Sequence, residues 1–146
     1  MSVYVVDASV LVKWFIPEVH SEAARRWLDA SHDYLAPDLV FPEAGNAISK
    51  KVRRGELTPA EARRLATDIS GAAVEAISMR GLLPDAEALA VTTGMTVYDA
   101  VYVALAVRLE TRVITADEGL LRIARRYSPI SVHVCSVEQS PSDSGR

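Results

Sequence analysis

Four acidic residues lie where an isolated carboxylate would be poorly placed. Asp7 directly follows residues 3–6, a run rich in β-branched residues that is typical of a buried strand, and Asp117 follows a later strand. Glu43 lies in an otherwise apolar helix, and Asp99 begins the most apolar helix of the chain. Because the carboxyl ends of parallel strands share one edge of a sheet, Asp7 and Asp117 can converge there. The pattern predicts an acidic pocket at that edge.

The chemistry of such a pocket follows from its charge. Carboxylates that are crowded together raise one another's pKa, because each disfavours ionisation of its neighbours. A hard divalent cation such as Mg²⁺ or Mn²⁺ removes that cost, since both ions prefer oxygen ligands. A centre of this kind can generate a hydroxide nucleophile and stabilise negative charge on a phosphate group.

Each acid taken alone also has an ordinary structural explanation. Asp7, Asp99 and Asp117 could each cap a helix, because aspartate is a preferred N-cap residue. Glu43 could pair with Lys50 further along its helix. Four unrelated structural roles at this spacing are the weaker explanation of the set.

Strands alternate with helices along the chain and must position these acids. Strands are predicted at 3–6, 34–36, 75–79, 112–115 and 131–134, and helices begin near residues 9, 21, 38, 59, 83, 98 and 117. This alternation predicts an α/β fold, a three-layer α/β/α sandwich with a mostly parallel central sheet. We expect one domain over residues 1–137 and a disordered tail over 138–146, where proline, serine, aspartate and glycine prevail.

Composition excludes several classes of protein. The chain has 146 residues, of which 49% are hydrophobic and 24% charged, as in ordinary globular proteins. No apolar run approaches the ~20 residues that span a bilayer, and no signal-peptide pattern is visible. A single cysteine, Cys135, excludes an internal disulfide and a cysteine-rich metal site. We therefore expect a cytoplasmic protein with no membrane association.

Charge is distributed unevenly despite a net charge of −3. Basic residues come in adjacent pairs, at 25–26, 50–51, 53–54, 63–64 and 125–126. If a metal neutralises four carboxylates, the remainder of the chain carries a net charge of about +1, which is compatible with nucleic-acid binding. The alternative is that each pair is a solvated helix face, and for any one pair this is the stronger explanation.

Four segments together resemble PIN-domain ribonucleases of the VapC toxin type. They are 5–15 (VVDASVLVKWF), 42–47 (PEAGNA), 96–106 (TVYDAVYVALA) and 113–121 (VITADEGLL). The resemblance extends over about residues 3 to 135, and segments 98–100 and 115–117 are its most specific parts. Gly119 departs from the family pattern, in which a larger polar residue is common at this position.

The resemblance implies a PIN-like fold and a set of functional residues. It implies that the acids bind Mg²⁺ or Mn²⁺ and are the catalytic residues: Asp7, Glu43, Asp99 and Asp117. It implies that three polar residues support them: Ser9, Asn46 and Thr115. Since hydroxyl groups can donate hydrogen bonds to carboxylates, Ser9 and Thr115 would fix the orientation of the acids.

The implied activity is that of a Mg²⁺-dependent endoribonuclease. Metal-activated water would attack the RNA phosphodiester, with the acids as ligands and one of them as general base. The resemblance further implies the toxin half of a toxin–antitoxin pair, held inactive by an antitoxin segment over the acidic cleft, and a homodimer.

Residue type and position indicate further candidates. The candidates for holding the RNA backbone are Lys13, Lys50, Lys51 and Arg53. Apolar residues available to an interface include Trp14, Phe15 and Trp27, although all three could equally be core residues. Tyr98 could pack beneath the acids or belong to the core.

Three alternatives remain beside this interpretation. A phosphatase with an aspartyl nucleophile usually needs a second aspartate two residues after the first, where this chain has Ser9. A related nuclease could act on DNA or on flap substrates, which no residue excludes. A module of the same fold could bind nucleic acid or protein without cleaving, and the complete set of four acids argues against that.

Overall fold

A computed structural model describes residues 2–141 of the chain. Five strands form one parallel sheet in the order β3-β2-β1-β4-β5. The strands are β1 (Val3–Val6), β2 (Asp33–Pro37), β3 (Glu75–Ile77), β4 (Val113–Thr115) and β5 (Val134–Ser136). The predicted sheet, and with it the predicted fold class, is confirmed.

Helices connect the strands and cover both faces of the sheet. They are α1 (Ala8–Phe15), α2 (Ser21–Asp29), α3 (Val40–Arg53), α4 (Pro59–Ser70), α5 (Leu83–Thr93), α6 (Val97–Arg108), α7 (Glu118–Arg126) and α8 (Ser128–Ser131), with a 3₁₀ turn at Arg80–Leu82. Crossovers between parallel strands are right-handed, so the helices before β3 cover one face and those after β3 cover the other. Within the first layer α1 packs on α2, α3 and α4, and in the second α5 packs on α6.

The strand order places a switch in winding direction at the middle of the sheet. From β1 the chain winds outward to β2 and β3, then crosses back to β4 on the other side of β1. Strands β1 and β4 are therefore neighbours, with Val6 in register with Ile114. Open parallel sheets bind ligands at such a switch, beyond the carboxyl ends of the strands. The residues that follow β1 and β4 are the ones that meet there.

Local sequence signals set several helix ends. Thr58 and Glu61 form a complete capping box before Pro59, and Gly94 ends α5 with a φ of 77° that favours glycine. The strand predicted at 131–134 is displaced to Val134–Ser136 because Pro129 favours the short helix α8 just before it.

Two tryptophans anchor the core beside the first strand. Trp27 is fully buried, its ring packs edge-on against Tyr4 at 5.2 Å between centroids, and its indole nitrogen donates to the Val137 carbonyl at 2.9 Å. Trp14 is buried and donates to the Ala24 carbonyl at 2.8 Å, while Phe15 packs partly buried against the same core. The two tryptophans are therefore core residues and the interface role predicted for them is wrong, whereas for the partly buried Phe15 that role stays a prediction.

Helix α6 explains the most apolar stretch of the sequence. Residues 100–106 are buried along nearly the whole helix, which contacts β1, β2 and β4.

No single helix within residues 2–141 is long and apolar enough to cross a membrane. The segments Arg80–Thr93 and Val97–Arg108 pass a test of length and composition as a pair bent by 116°, but the second of them forms the protein core.

The predicted tail, 138–146, begins inside the described part of the chain. Glu138 contacts the ring of His20 at the start of α2, and Val137 before it is buried. Residues 142–146, and Met1 of the predicted domain, lie outside the described residues.

The burial of Trp27 yields a stability prediction. Trp27→Ala removes a large buried ring and leaves the Val137 carbonyl unpaired, so we expect a loss of about 3–5 kcal/mol in unfolding free energy. Urea denaturation measures it, with the exposed Val91→Ala as a control that changes the value by less than about 0.5 kcal/mol. A small effect of Trp27→Ala on stability, combined with weaker self-association, would restore the interface role.

Candidate active site

The four predicted acids surround one cavity at the carboxyl edge of the sheet. Asp7, Glu43, Asp99 and Asp117 all line this cavity of about 290 Å³, together with Tyr102. They come from four different parts of the chain: the ends of β1 and β4 and the first turns of α3 and α6. We call this space the acidic cavity.

Asp7 is the most constrained of the four. Its Oδ1 atom accepts hydrogen bonds from the Ser9 hydroxyl at 2.6 Å and from the Val10 backbone N–H at 3.2 Å, and its Oδ2 atom accepts one from the Thr115 hydroxyl. Burial raises the pKa of Asp7 to about 6, although the three hydrogen bonds act to lower it. Asp7 caps α1 and also faces the cavity, so the structural and functional explanations hold together.

The two hydroxyl groups on Asp7 also join the ends of β1 and β4. Ser9 Oγ accepts from the Ala116 N–H at 3.0 Å, and Thr115 Oγ1 accepts from the Asp117 N–H at 2.9 Å. Each hydroxyl therefore donates to the first acid while it holds the backbone beside the last. Ser9 and Thr115 lie where the sequence analysis placed them.

Asp117 lies on the exposed side of the cavity and caps α7. Its Oδ1 atom accepts from the backbone N–H groups of Gly119 at 2.8 Å and Leu120 at 3.2 Å. A β-carbon at position 119 would stand 3.1 Å from that oxygen, so glycine leaves room for the carboxylate to fold back on its helix. The neighbouring Glu118 is exposed and does not line the cavity.

Glu43 is held by a tyrosine that the sequence analysis did not single out. The Tyr102 hydroxyl donates to Glu43 Oε1 at 2.5 Å, from α6 across to α3. Burial raises the pKa of Glu43, while this bond lowers it and the charge of Asp117 raises it. The sequence signal that could have identified Tyr102 is its spacing, because it lies three residues after Asp99 and therefore on the same helix face.

Asp99 does not cap its helix, contrary to its ordinary structural explanation. Thr96 is the N-cap of α6, and its hydroxyl accepts from the Asp99 N–H at 3.1 Å. The carboxylate is thus free to face the cavity. Burial, followed by the charges of Asp117 and Glu43, raises the pKa of Asp99 to about 6.

The electrostatics tie the four acids into one group. The charge of Asp117 raises the pKa of each of the other three. Within residues 2–141 no ion pair joins any of the four to a lysine, arginine or histidine. The group is a cluster of carboxylates without a protein counter-charge, which is the donor chemistry that a hard divalent cation requires.

The four carboxylates line one cavity but do not form a coordination shell. Across residues 2–141 no three acidic, histidine or cysteine side chains stand so that they could hold a metal ion as arranged. The donor set fits a divalent cation by its chemistry and by the cavity that the four acids share.

A fifth acid, Glu18, also lines the cavity but differs from the four in its partners. Its Oε1 atom pairs with Lys13 at 2.8 Å and its Oε2 atom with Lys51 at 2.9 Å. Burial acts to raise the pKa of Glu18, but the two lysines together lower it. The sequence predicts a role in RNA binding for both lysines, whereas no sequence signal marks the glutamate between them.

The remaining predicted residues lie away from the acids. Asn46, Lys50 and Arg53 are exposed on α3 and do not line the cavity. The side chain of Asn46 therefore makes no contact that would support the acids. Tyr98 is 64% exposed, neither under the acids nor in the core. It lines a separate apolar cavity of about 500 Å³ with Leu83.

Comparisons with known proteins agree with this architecture. The sequence matches the family model described as the PIN domain over residues 4–126. A relative, Ribonuclease VapC3 from Pyrobaculum aerophilum, is 37% identical over 118 residues, which cover 80% of this chain and 90% of the relative.

Solved structures are similar in fold. A crystal structure of PAE2754 from Pyrobaculum aerophilum has a TM-score of 0.68 at 27% identity, covering 92% of this chain and 89% of that one. VapBC2 from Rickettsia felis, bound to a DNA fragment from their promoter, has a TM-score of 0.57 at 15% identity, covering 83% and 92%. At that identity the second likeness shows the fold alone.

The raised pKa of Asp7 predicts how stability depends on pH without metal. The folded state holds the Asp7 proton up to about pH 6 and the unfolded state up to about pH 4. In EDTA the unfolding free energy therefore falls as pH rises from about 4 to about 6, by on the order of 3 kcal/mol for this group. Asp7→Asn should remove that part of the fall.

Urea denaturation in EDTA between pH 4 and pH 7.5 measures the effect. Asp33→Asn, an exposed carboxylate outside the acidic cavity, serves as the control and should follow the wild-type curve. If the unfolding free energies of wild type and Asp7→Asn depend on pH in the same way, the pKa of Asp7 is not raised in the folded protein.

Proposed function

The chain belongs to the PIN domain family, and on that premise we propose that it is a Mg²⁺- or Mn²⁺-dependent endoribonuclease, the toxin component of a toxin–antitoxin pair. The observation that carries the proposal is the convergence of four uncompensated carboxylates on one cavity. Similarity to a ribonuclease over most of the chain supports RNA as the substrate.

The metal site would consist of Asp7, Glu43, Asp99 and Asp117. A bound divalent cation would supply a lowered pKa for water and stabilisation of negative charge on the phosphate. Four carboxylates at one site are more than a single octahedral ion can use if it keeps several waters. The side chains can therefore divide the work, so that one acid accepts a proton while others hold the ion.

The protein positions these acids by hydrogen bonds that are already made. Ser9 and Thr115 occupy both oxygens of Asp7, which fixes the plane of its carboxylate. Tyr102 holds one oxygen of Glu43 and leaves the other for a ligand. Because these donors are neutral, they orient the carboxylates without cancelling the charge that the cation needs.

Basic residues extend the site along α3. Lys50 and Arg53 are exposed in its last turns, about 10–15 Å along the helix from Glu43 by helical rise. We propose that they contact the RNA backbone together with Lys13 and Lys51, since phosphate contacts position a substrate without reading its sequence.

The proposed partners follow from the same family. We propose a cytoplasmic protein held inactive by an antitoxin segment that covers the acidic cavity. We also propose a homodimer, whose interface must use apolar residues other than the buried tryptophans. Leu83 and Tyr98 are exposed and line one apolar surface cavity, which makes them the candidates on this chain.

Cleavage assays test the activity. Asp99→Asn should lower the rate of single-stranded RNA cleavage by more than about 100-fold, because an amide is a far poorer Mg²⁺ ligand than a carboxylate. EDTA should abolish wild-type cleavage, and Mn²⁺ or Mg²⁺ should restore it. Asp85→Asn, an exposed acid on α5, is the matched control.

Two further measurements sharpen this test. The same sequence as single-stranded DNA should remain uncut, and cleavage of DNA instead would favour the alternative nuclease. Millimolar Mg²⁺ should raise the melting temperature of wild type and much less that of Asp7→Asn, since a ligand of the folded state stabilises it. Asp99→Asn activity within about tenfold of wild type would sink the metal-site assignment.

Light scattering tests the assembly. Wild type should be a dimer at micromolar concentration, and Leu83→Glu should shift it towards monomer because the charge would be buried at the interface. Thr92→Glu, exposed elsewhere on α5, should leave the dimer intact. A wild-type monomer at this concentration would refute the homodimer.

A further inference from the structure

We propose that Glu18 occupies the binding position of a substrate phosphate between Lys13 and Lys51, and that RNA displaces it on binding. This inference rests on the proposed function and adds a residue that regulates access to the same site. Glu18 would act as an internal anion that competes with the substrate.

The geometry is that of a bound two-oxygen anion. Each Glu18 oxygen contacts a different lysine, Oε1 with Lys13 at 2.8 Å and Oε2 with Lys51 at 2.9 Å. A phosphodiester likewise presents two unesterified oxygens on one centre. Two ammonium groups that bind a carboxylate in this way can also bind a phosphate, since lysine binds both anions as a point charge.

The two lysines are held in place beside the acids. Their side chains are 12% and 19% exposed, and Lys13 and Glu18 both line the acidic cavity. Lys13 comes from the last turn of α1, which Asp7 caps, and Lys51 comes from α3, which carries Glu43. A phosphate at this position would therefore lie next to the proposed metal site.

The backbone of Glu18 is anchored, so its displacement needs no loop movement. The buried Ser21 hydroxyl accepts from the Glu18 N–H at 2.8 Å and donates to the Ile16 carbonyl at 3.0 Å. The Ser21 N–H donates back to the Glu18 carbonyl at 3.0 Å. Rotation of the Glu18 side chain towards solvent is enough to free both lysines.

Charge explains why such a competitor has an effect. In the free protein the acidic cavity repels a phosphate, and Glu18 neutralises the nearest basic residues. Substrate must break two ion pairs before it gains them itself. The affinity for RNA is thereby lowered, and the position stays filled while no substrate is present.

The experiment compares two substitutions that each replace a carboxylate by an uncharged amide. Glu18→Gln keeps the shape but removes the competing charge, and Glu56→Gln removes the weaker, exposed partner of Lys51 at 3.6 Å. We measure the Kd for a single-stranded RNA oligonucleotide in the non-cleaving Asp99→Asn background. We also measure the Kd for inorganic phosphate by thermal shift in the otherwise wild-type chain.

We expect Glu18→Gln to tighten both ligands by about three- to tenfold, because two partly exposed ion pairs no longer have to be broken. Glu56→Gln should change either Kd by less than about twofold. Adding Lys13→Gln to Glu18→Gln should cancel the gain, and Lys13→Gln alone completes the double-mutant cycle, in which non-additive effects on Kd show that the two residues act through one position.

Unchanged or weaker binding of phosphate and RNA by Glu18→Gln would overturn the proposal, since Glu18 would then serve to brace the lysines. The phosphate measurement does not depend on cleavage. If phosphate binds Glu18→Gln more tightly while wild type cleaves no RNA, the phosphate position stands and the proposed function fails. Circular dichroism of each variant confirms that it is folded before binding is compared.

Discussion

The buried carboxylate of Asp7 is the constraint on which the arrangement depends. It ends the central strand β1 at 7% exposure, with both oxygens held by side chains that also bind the backbone after β4. An ionised group this deep is costly unless hydrogen bonds or a counter-charge offset the lost hydration. Three neutral donors offset part of the cost, as the raised pKa of Asp7 shows. The part of the desolvation cost that these donors do not offset falls on Asp7, where the winding of the sheet reverses.

The unbalanced charge of the four acids favours a cation over a neutral ligand in the acidic cavity. Asp117 adds to the potential at the other three acids, and within residues 2–141 no basic side chain pairs with them. A hydrophobic or neutral ligand would gain nothing from this field, whereas a divalent cation would gain from each carboxylate. Neutral hydroxyls from Ser9, Thr115 and Tyr102 add direction without reducing the field.

Sequence patterns predicted the parallel sheet and the residues at its edge, because both follow from local periodicity and from the handedness of crossovers. They could not predict contacts made across the fold. Tyr102 and Glu43 are 59 positions apart, and their bond depends on how α6 packs beside α3. The burial of aromatic side chains was the hardest feature to predict. Trp27 and Tyr98 both lie in helical sequence patterns, yet their side chains are 0% and 64% exposed. Asn46 follows a helix-face pattern, but the rotation of α3 turns it to solvent.

Acids in one cavity can differ in meaning, and the difference lies in their counter-charges. Glu18 shares the cavity with the other four, but two lysines lower its pKa, whereas burial raises that of Asp7 and Asp99 to about 6. A carboxylate whose charge the protein already balances has no need of a cation, so we do not include Glu18 in the proposed metal site. The lysines that balance it are basic groups beside an otherwise acidic cavity, which a phosphate must use to approach. The cavity therefore holds two kinds of acid, four that have no basic partner within residues 2–141 and Glu18, which has two, and the proposed metal and anion positions rest on that difference.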